Sequence, residues 1–165
     1  DCDPRGLLVL YSLSKQSNLA GYRAALIYGD PALVAPIVTA RKHSGLMVPT
    51  PVQHAMALAL GDTEHVSAQR SVYEARRRLL LEALTRAGLD VDPASAAGLY
   101  LWVADPGAPQ DSWALVDRFA RLGILVAPGD FYGAAARGRV RVALTATDER
   151  IAAAAKRIAS EWVGR

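Results

Sequence analysis

The feature that most constrains this chain is a single helical stretch from about residue 64 to 87, which ends on a glycine and separates two halves of different texture. After Asp62-Thr63-Glu64, the apolar residues Val66, Tyr73, Leu80, Leu84 and Ala87 recur on one side, while Arg70, Arg76, Arg77 and Arg78 lie elsewhere. Gly88 supplies the C-terminal cap. Upstream, Gly6-Leu7-Leu8-Val9-Leu10-Tyr11 reads as a short buried strand and 22–28 as a second, ending at Gly29-Asp30-Pro31. Asp30 as N-cap with Pro31 at the first helical position starts a helix that carries Leu33, Val34 and Ile37 to about His43. Thr50-Pro51 repeats that start signal, and a helix through Val52, Met56 and Leu60 should stop at Gly61.

Beyond residue 88 the texture becomes α+β. Strands are expected at 98–103, at Ile124-Leu125-Val126 and at 140–144. Ser112 is expected to cap a helix whose Trp113, Val116 and Phe119 share a face, with Gly123 as its end. Thr147 opens a terminal helix with Asp148 and Glu149 in its first turn and Ile151, Ala155, Ile158 and Trp162 as its apolar stripe. Two domains follow, 1–88 ending in the long helix and 89–165 as a smaller α+β domain, with the boundary in that helix or just after it.

Composition excludes several classes of function. At 52% apolar and 21% charged, the 165 residues can bury a core and lack the signature of disorder. The net charge of +3 comes from arginines scattered among acids, not from a basic block, so nucleic acid is not an expected partner. No apolar run approaches the roughly 18 residues that a membrane span needs. Cys2 stands alone, and with no signal peptide at the start a reducing cytoplasm is the expected location. His43, His54 and His65 show no metal-ligand spacing and read as helix-surface or cap residues. Trp102, Trp113 and Trp162 read as core.

The segment with chemistry is Ser12-Leu13-Ser14-Lys15-Gln16-Ser17-Asn18-Leu19-Ala20-Gly21-Tyr22-Arg23, a polar loop between two apolar strands. A lysine flanked by small hydroxyl residues at the end of a buried strand can lose hydration, lower its pKa and become a nucleophile. Two serine hydroxyls and an arginine eight residues on suit a dianionic phosphate. Amine and phosphate cradle together point to pyridoxal 5′-phosphate, set against the plainer alternative of an exposed loop with a solvated lysine and arginine.

Residues 12–25 resemble the lysine signature of the class I and II (fold-type I) aminotransferases, with Ala25 where many relatives have glycine. The resemblance continues through Thr50-Pro51-Val52-Gln53-His54-Ala55, Gly98-Leu99-Tyr100-Leu101-Trp102, Val126-Ala127-Pro128-Gly129-Asp130-Phe131-Tyr132-Gly133 and Val140-Arg141-Val142-Ala143-Leu144. It implies an α/β fold, the C-terminal part of the fold of pyridoxal-phosphate-dependent transferases: the end of a large domain, a long interdomain helix and a small domain. It also implies that Lys15 forms the Schiff base and shuttles the proton, that Ser12 and Arg23 hold the phosphate with help from Ser14, and that Arg141 clamps the substrate α-carboxylate. Arg137 and Arg139 are its rivals, read more plainly as solvated loop charges.

The strings 17–23 and 141–150 look most like succinyldiaminopimelate aminotransferases of lysine biosynthesis, which implies transfer between N-succinyl-diaminopimelate and 2-oxoglutarate by a cytoplasmic homodimer. By the same resemblance the glycine-rich phosphate turn, the ring-stacking aromatic, and the Asn, Asp and Tyr that contact the cofactor belong upstream of residue 1. The chain is therefore expected to be a C-terminal fragment. The alternative is a catalytically silent fragment or interaction module of the same fold.

Overall fold

The computed structural model describes residues 3–107 and 110–162; Cys2 lies outside them. The chain divides into two compact units, 1–68 and 69–165, and the boundary falls inside a helix.

In the first unit, strand β1 (Leu8–Tyr11) leads into one turn of helix, α1 (Leu13–Gln16). A 3₁₀ turn, Ala20–Tyr22, precedes strand β2 (Leu26–Gly29). The two strands pair antiparallel, Leu8 opposite Gly29 and Tyr11 opposite Leu26. Gly29 sits at φ 137°, and a Cβ there would meet the Leu7 carbonyl, so only glycine lets the two chain ends close. Helices α2 (Pro31–His43) and α3 (Thr50–Gly61) follow at the expected places. The Asp30 carboxylate caps α2 by accepting from the Ala32 N–H at 2.8 Å, and it also takes the Gly6 N–H at 2.8 Å. Those two bonds, that to Gly6 foremost, hold its carboxyl below the usual range. The cap's stabilising effect is thus present above the ordinary carboxylate pKa and is lost as pH falls through the lowered one.

Two expectations change in this unit. The segment read as a loop around Lys15 contains the helical turn α1, because the Ser12 hydroxyl accepts from the Ser14 N–H at 3.2 Å and nucleates it. Residues 22–25 are not strand, because Arg23 turns into the left-handed region at φ 50°. Helix α2 has no buried residue. Among the described residues the unit's buried cluster is Leu13, Ala24 and Met56, with Tyr11, Leu19, Leu26, Val48, Val52 and Ala59 against it. A two-stranded ribbon offers too little apolar surface to cover three helices.

Helix α4 (Glu64–Arg86) runs through the unit boundary and ends just before Gly88, as its pattern requires. The second unit then builds a four-stranded antiparallel sheet in the order β3-β4-β6-β5, from β3 (Asp90–Val91), β4 (Tyr100–Ala104), β5 (Ala127–Pro128) and β6 (Arg139–Ala143). Between them lie α5 (Ser112–Arg121) and 3₁₀ turns at Gly129–Tyr132 and Ala134–Ala136, and α6 (Asp148–Glu161) closes the unit. In β4 and β6 buried and half-buried residues alternate. Leu101, Val103, Val140 and Val142 face a core completed by Leu80 and Leu84 of α4, Leu115 and Phe119 of α5, and Ile151 and Ile158 of α6. The opposite face carries Tyr100, Trp102, Arg139 and Arg141.

Here too the structure corrects the reading. Asp111, not Ser112, caps α5, accepting from the Trp113 and Ala114 N–H groups at 2.9 and 3.1 Å. Ser112 is buried instead, and its hydroxyl accepts from the Gly138 N–H. Trp113 is 52% exposed, stacked edge-on against Phe131, because the core-facing stripe of α5 runs through Leu115 and Phe119. Ile124-Leu125-Val126 is not a strand; Leu125 is 92% exposed and pairing begins at Ala127. Gly129 is required by packing: an added Cβ would fall on the Ala136 carbonyl and lie 2.9 Å from the Arg139 carbonyl. Gly129→Ala is expected to destabilise the second unit by about 1–3 kcal/mol, read as a lower urea midpoint with an unchanged slope; an unchanged midpoint would show that the 129–139 turn is soft.

Candidate functional site

The 12–25 segment is held in an unusual backbone path. Asn18 at φ 54° and Arg23 at φ 50° are the two non-glycine residues with positive φ among the described residues, and both fall in it. Asn tolerates that region; an arginine there costs about 1–2 kcal/mol, and such strain concentrates at functional sites. The Ser12 hydroxyl donates to Ser14 Oγ at 2.9 Å, so the two hydroxyls stand side by side at the start of α1. Lys15 is exposed on that turn and has no hydrogen bond or ion pair among the described residues. The expectation of a buried, desolvated lysine is therefore corrected: Lys15 is exposed among the described residues of this unit. Arg23 is also exposed, and its Nη1 donates to the Ala20 carbonyl at 2.9 Å. The structure thus joins Ser12 with Ser14 and sets Lys15 next to them, while Arg23 is engaged with its own backbone. His65 fastens the segment by bonding Ser17 Oγ through Nε2 at 3.0 Å and Asp62 through Nδ1 at 3.0 Å.

A cavity of about 670 Å³ in the first unit is an uncovered apolar surface between β2, α2 and α3, lined by Leu26, Ile37, Met47 and Met56 among others. Arg23 is its only contact with the candidate residues.

Arg141 belongs to the second unit and is built into β6 opposite Trp102 of β4 and Ala127 of β5. Its guanidinium carbon lies 4.1 Å from the Tyr100 ring centre and 5.3 Å from that of Tyr132. Tyr132 in turn meets Trp102 edge-on, with ring centres 5.4 Å apart. Together with Asp92, Ala94, Ser95 and Ala97 these residues line a cavity of about 500 Å³ on the face of the sheet away from the core. Arg77 of α4 shapes its rim by donating to the carbonyls of Ser95 and, at 2.6 Å, Gly98; burial holds its pKa below the usual arginine value. The Arg141 Nε is buried with no hydrogen-bond partner among the described residues. A planar cation held between aromatic rings, with an unused N–H, is suited to a planar anion.

The reading of Trp102 as core missed this wall. The signal was present: in Tyr100-Leu101-Trp102-Val103 and Arg139-Val140-Arg141-Val142, polar-tipped residues alternate with aliphatic ones, which is the period of a sheet with one non-core face. Arg139, read as a solvated loop charge, lies on the same face as Arg141 and has a buried Nη1. Among the described residues there is no group of three His, Cys, Asp or Glu able to hold a metal, and no helix long and apolar enough to cross a membrane.

Comparison with known proteins gives the family. The chain is 56% identical over 153 residues to the 4-dedimethylamino-4-oxo-anhydrotetracycline transaminase of Streptomyces rimosus, covering 93% of the chain and 42% of that protein. It is 54% identical to a probable aminotransferase of Mycobacterium tuberculosis, over 96% of the chain and 37% of that protein. An LL-diaminopimelate aminotransferase of Oleidesulfovibrio alaskensis is 33% identical, over 90% of the chain and 38% of that protein. Among solved structures, a tetra mutant of the aspartate aminotransferase of Thermus thermophilus superposes with a TM-score of 0.79 at 28% identity, over 94% of the chain and 43% of that chain. The chain therefore spans about two-fifths of the length of these relatives. The family described as aminotransferase class I and II matches residues 1–158, and the chain belongs to it.

Proposed function

We propose that this chain is the lysine-bearing part of a pyridoxal-phosphate-dependent aminotransferase that, at full length, moves an amino group between an amino acid and a 2-oxo acid. The observation that carries the reading is Lys15: an exposed, unpartnered amine next to two mutually bonded hydroxyls, in a strained segment of a chain that belongs to this family. These groups fit the cofactor, since an aldehyde needs a free amine and a phosphate needs clustered donors. Lys15 would hold the cofactor covalently and carry the proton to and from the substrate Cα. Ser12, Ser14 and Arg23 would hold the phosphate, with Arg23 exchanging its Ala20 carbonyl for it, and Arg141 would take the α-carboxylate. The bound cofactor supplies an electron sink for the carbon that loses its proton.

In the same reading residues 1–88 complete a large cofactor-binding domain and 89–165 form the small one, in a cytoplasmic homodimer. The substrates are N-succinyl-diaminopimelate and 2-oxoglutarate, on the motifs at 17–23 and 141–150. A second reading, amination of a polycyclic ketone, is favoured by the 56% identity to the anhydrotetracycline transaminase. The discriminating experiment is a kcat/KM panel on the full-length enzyme, with N-succinyl-diaminopimelate and glutamate as donors and 2-oxoglutarate and the tetracycline ketone as acceptors. A clear maximum with N-succinyl-diaminopimelate supports the first; a maximum with the tetracycline ketone selects the second, and no transamination of any amino acid overturns both.

The strain at Arg23 gives a separate test. Arg23→Gly relieves the left-handed backbone but loses the guanidinium, so stability is expected to stay within about 1 kcal/mol while cofactor affinity in the full-length protein falls about tenfold or more. A urea titration and a cofactor titration read the two effects. Unchanged cofactor affinity would remove Arg23 from the phosphate site.

A further inference from the structure

We infer that His65 is a positioning residue for Lys15: through Ser17 it fixes the end of the α1 turn, and with it the place from which the amine reaches the substrate Cα. The inference rests on the aminotransferase reading and adds to it a residue that acts through another. Helix α1 is a single turn of four residues, and so short a helix does not hold its shape by itself in water. Its first half is secured by the Ser12 cap and by fully buried Leu13. Lys15 follows Leu13 by two residues and precedes Ser17 by two, so the far side of its span is set by how Ser17 is held. The Ser17 N–H closes the turn on the Leu13 carbonyl at 3.1 Å, and Ser17 Oγ meets His65 Nε2 at 3.0 Å. Directly after it Asn18 takes the left-handed conformation at φ 54°, which an L-residue adopts at an energetic cost. The tie at Ser17 therefore stands where the segment has most reason to relax.

His65 is itself held in one orientation. Asp62 Oδ1 accepts the Glu64 and His65 N–H groups at 2.9 and 3.3 Å, which caps α4, and Asp62 Oδ2 stands 3.0 Å from His65 Nδ1. These contacts, the His65 N–H foremost, hold the Asp62 carboxyl below the usual range. An ionised carboxylate can only accept, so Nδ1 carries a proton, and in the neutral ring Nε2 is left to accept from the Ser17 hydroxyl. One carboxylate thus starts the helix and aims the imidazole. The chain Asp62–His65–Ser17 joins the beginning of a 23-residue helix to the end of a four-residue turn, and the long element lends the short one a fixed point.

The test uses the full-length, cofactor-loaded enzyme and the single-turnover rate of Cα proton loss from an amino acid, followed through the cofactor's absorbance. His65→Ala and Ser17→Ala are each expected to slow that step about ten- to a hundredfold, since misplacing a reacting group by about 1 Å costs on the order of a hundredfold. The half-saturating amino acid concentration should stay within about twofold, because the Arg141 side chain is untouched. The amplitude per bound cofactor should stay full. A variant that is merely less stable loses amplitude, not rate, so the two effects separate. Because both substitutions cut the same tie, the double variant should be no slower than the slower single one. An unchanged rate at full amplitude in His65→Ala overturns the inference, as do losses that multiply in the double variant. A Lys15→Ala enzyme that still removed the Cα proton would sink the aminotransferase reading itself. An inactive Lys15→Ala enzyme beside an unaffected His65→Ala one would sink this inference alone.

Discussion

Replacing Lys15 by alanine in the full-length protein is expected to cut turnover by more than about a thousandfold while leaving the fold intact. The catalytic loss follows from removing both the covalent hold on the cofactor and the base at the substrate Cα, and general acid–base help alone is worth about 10²–10⁴-fold. The structural silence follows from where the side chain sits. Lys15 is exposed and unpartnered, whereas the α1 turn depends on the Ser12 cap and on fully buried Leu13. Without cofactor, substitution at such a position changes stability by no more than about 0.5 kcal/mol. Steady-state kinetics and urea unfolding read the two sides. A Lys15→Ala enzyme that kept a tenth of its activity would end the assignment.

Arg141→Lys is expected to lower kcat/KM for amino acids about ten- to a hundredfold, with cofactor retained. Lysine keeps the charge but loses the planar fork, and one charge-assisted bond of such a pair is worth about 1.5–3 kcal/mol. The surroundings of Arg141 raise the expectation. Its guanidinium is stacked 4.1 Å from the Tyr100 ring, and an ammonium cannot repeat that flat contact or the orientation it imposes on the remaining N–H groups. Amines without an α-carboxylate should be affected much less. If Arg141→Lys stayed within about twofold and Arg139→Lys crippled the enzyme, the α-carboxylate clamp would lie two residues earlier on the same face.

How much of this could be read from the sequence depended on whether the determinant was local. The helix starts at Asp30-Pro31 and Thr50-Pro51 and the end at Gly88 were legible, because capping and proline geometry act within a turn. Strands β4 and β6 were legible from their apolar content, and the structure pairs them, Trp102 opposite Arg141. The two-residue strands β3 and β5 carry no period to detect, and the run at 124–126 looked like a strand because apolar content does not reveal that Leu125 lacks a neighbour. At the site, Ser12, Ser14, Lys15, Arg23 and Arg141 came from a local signature and its continuation. The wall around Arg141 did not, since Tyr132, Trp102 and Asp92 meet it through strand register and turn packing, which are set by contacts distant along the chain. The exposure of Lys15 was likewise invisible, because hydroxyl neighbours suggest a lined pocket whether or not an element lies over it.

The identity of the lysine that carries the cofactor decides the assignment. Reduction of the pyridoxal-phosphate-loaded full-length protein with borohydride, followed by peptide mass spectrometry, reads this directly. A phosphopyridoxyl mass on the peptide containing Lys15, absent from Lys15→Ala, is the predicted result. Label on Lys42 or Lys156 with Lys15 unmodified would contradict it.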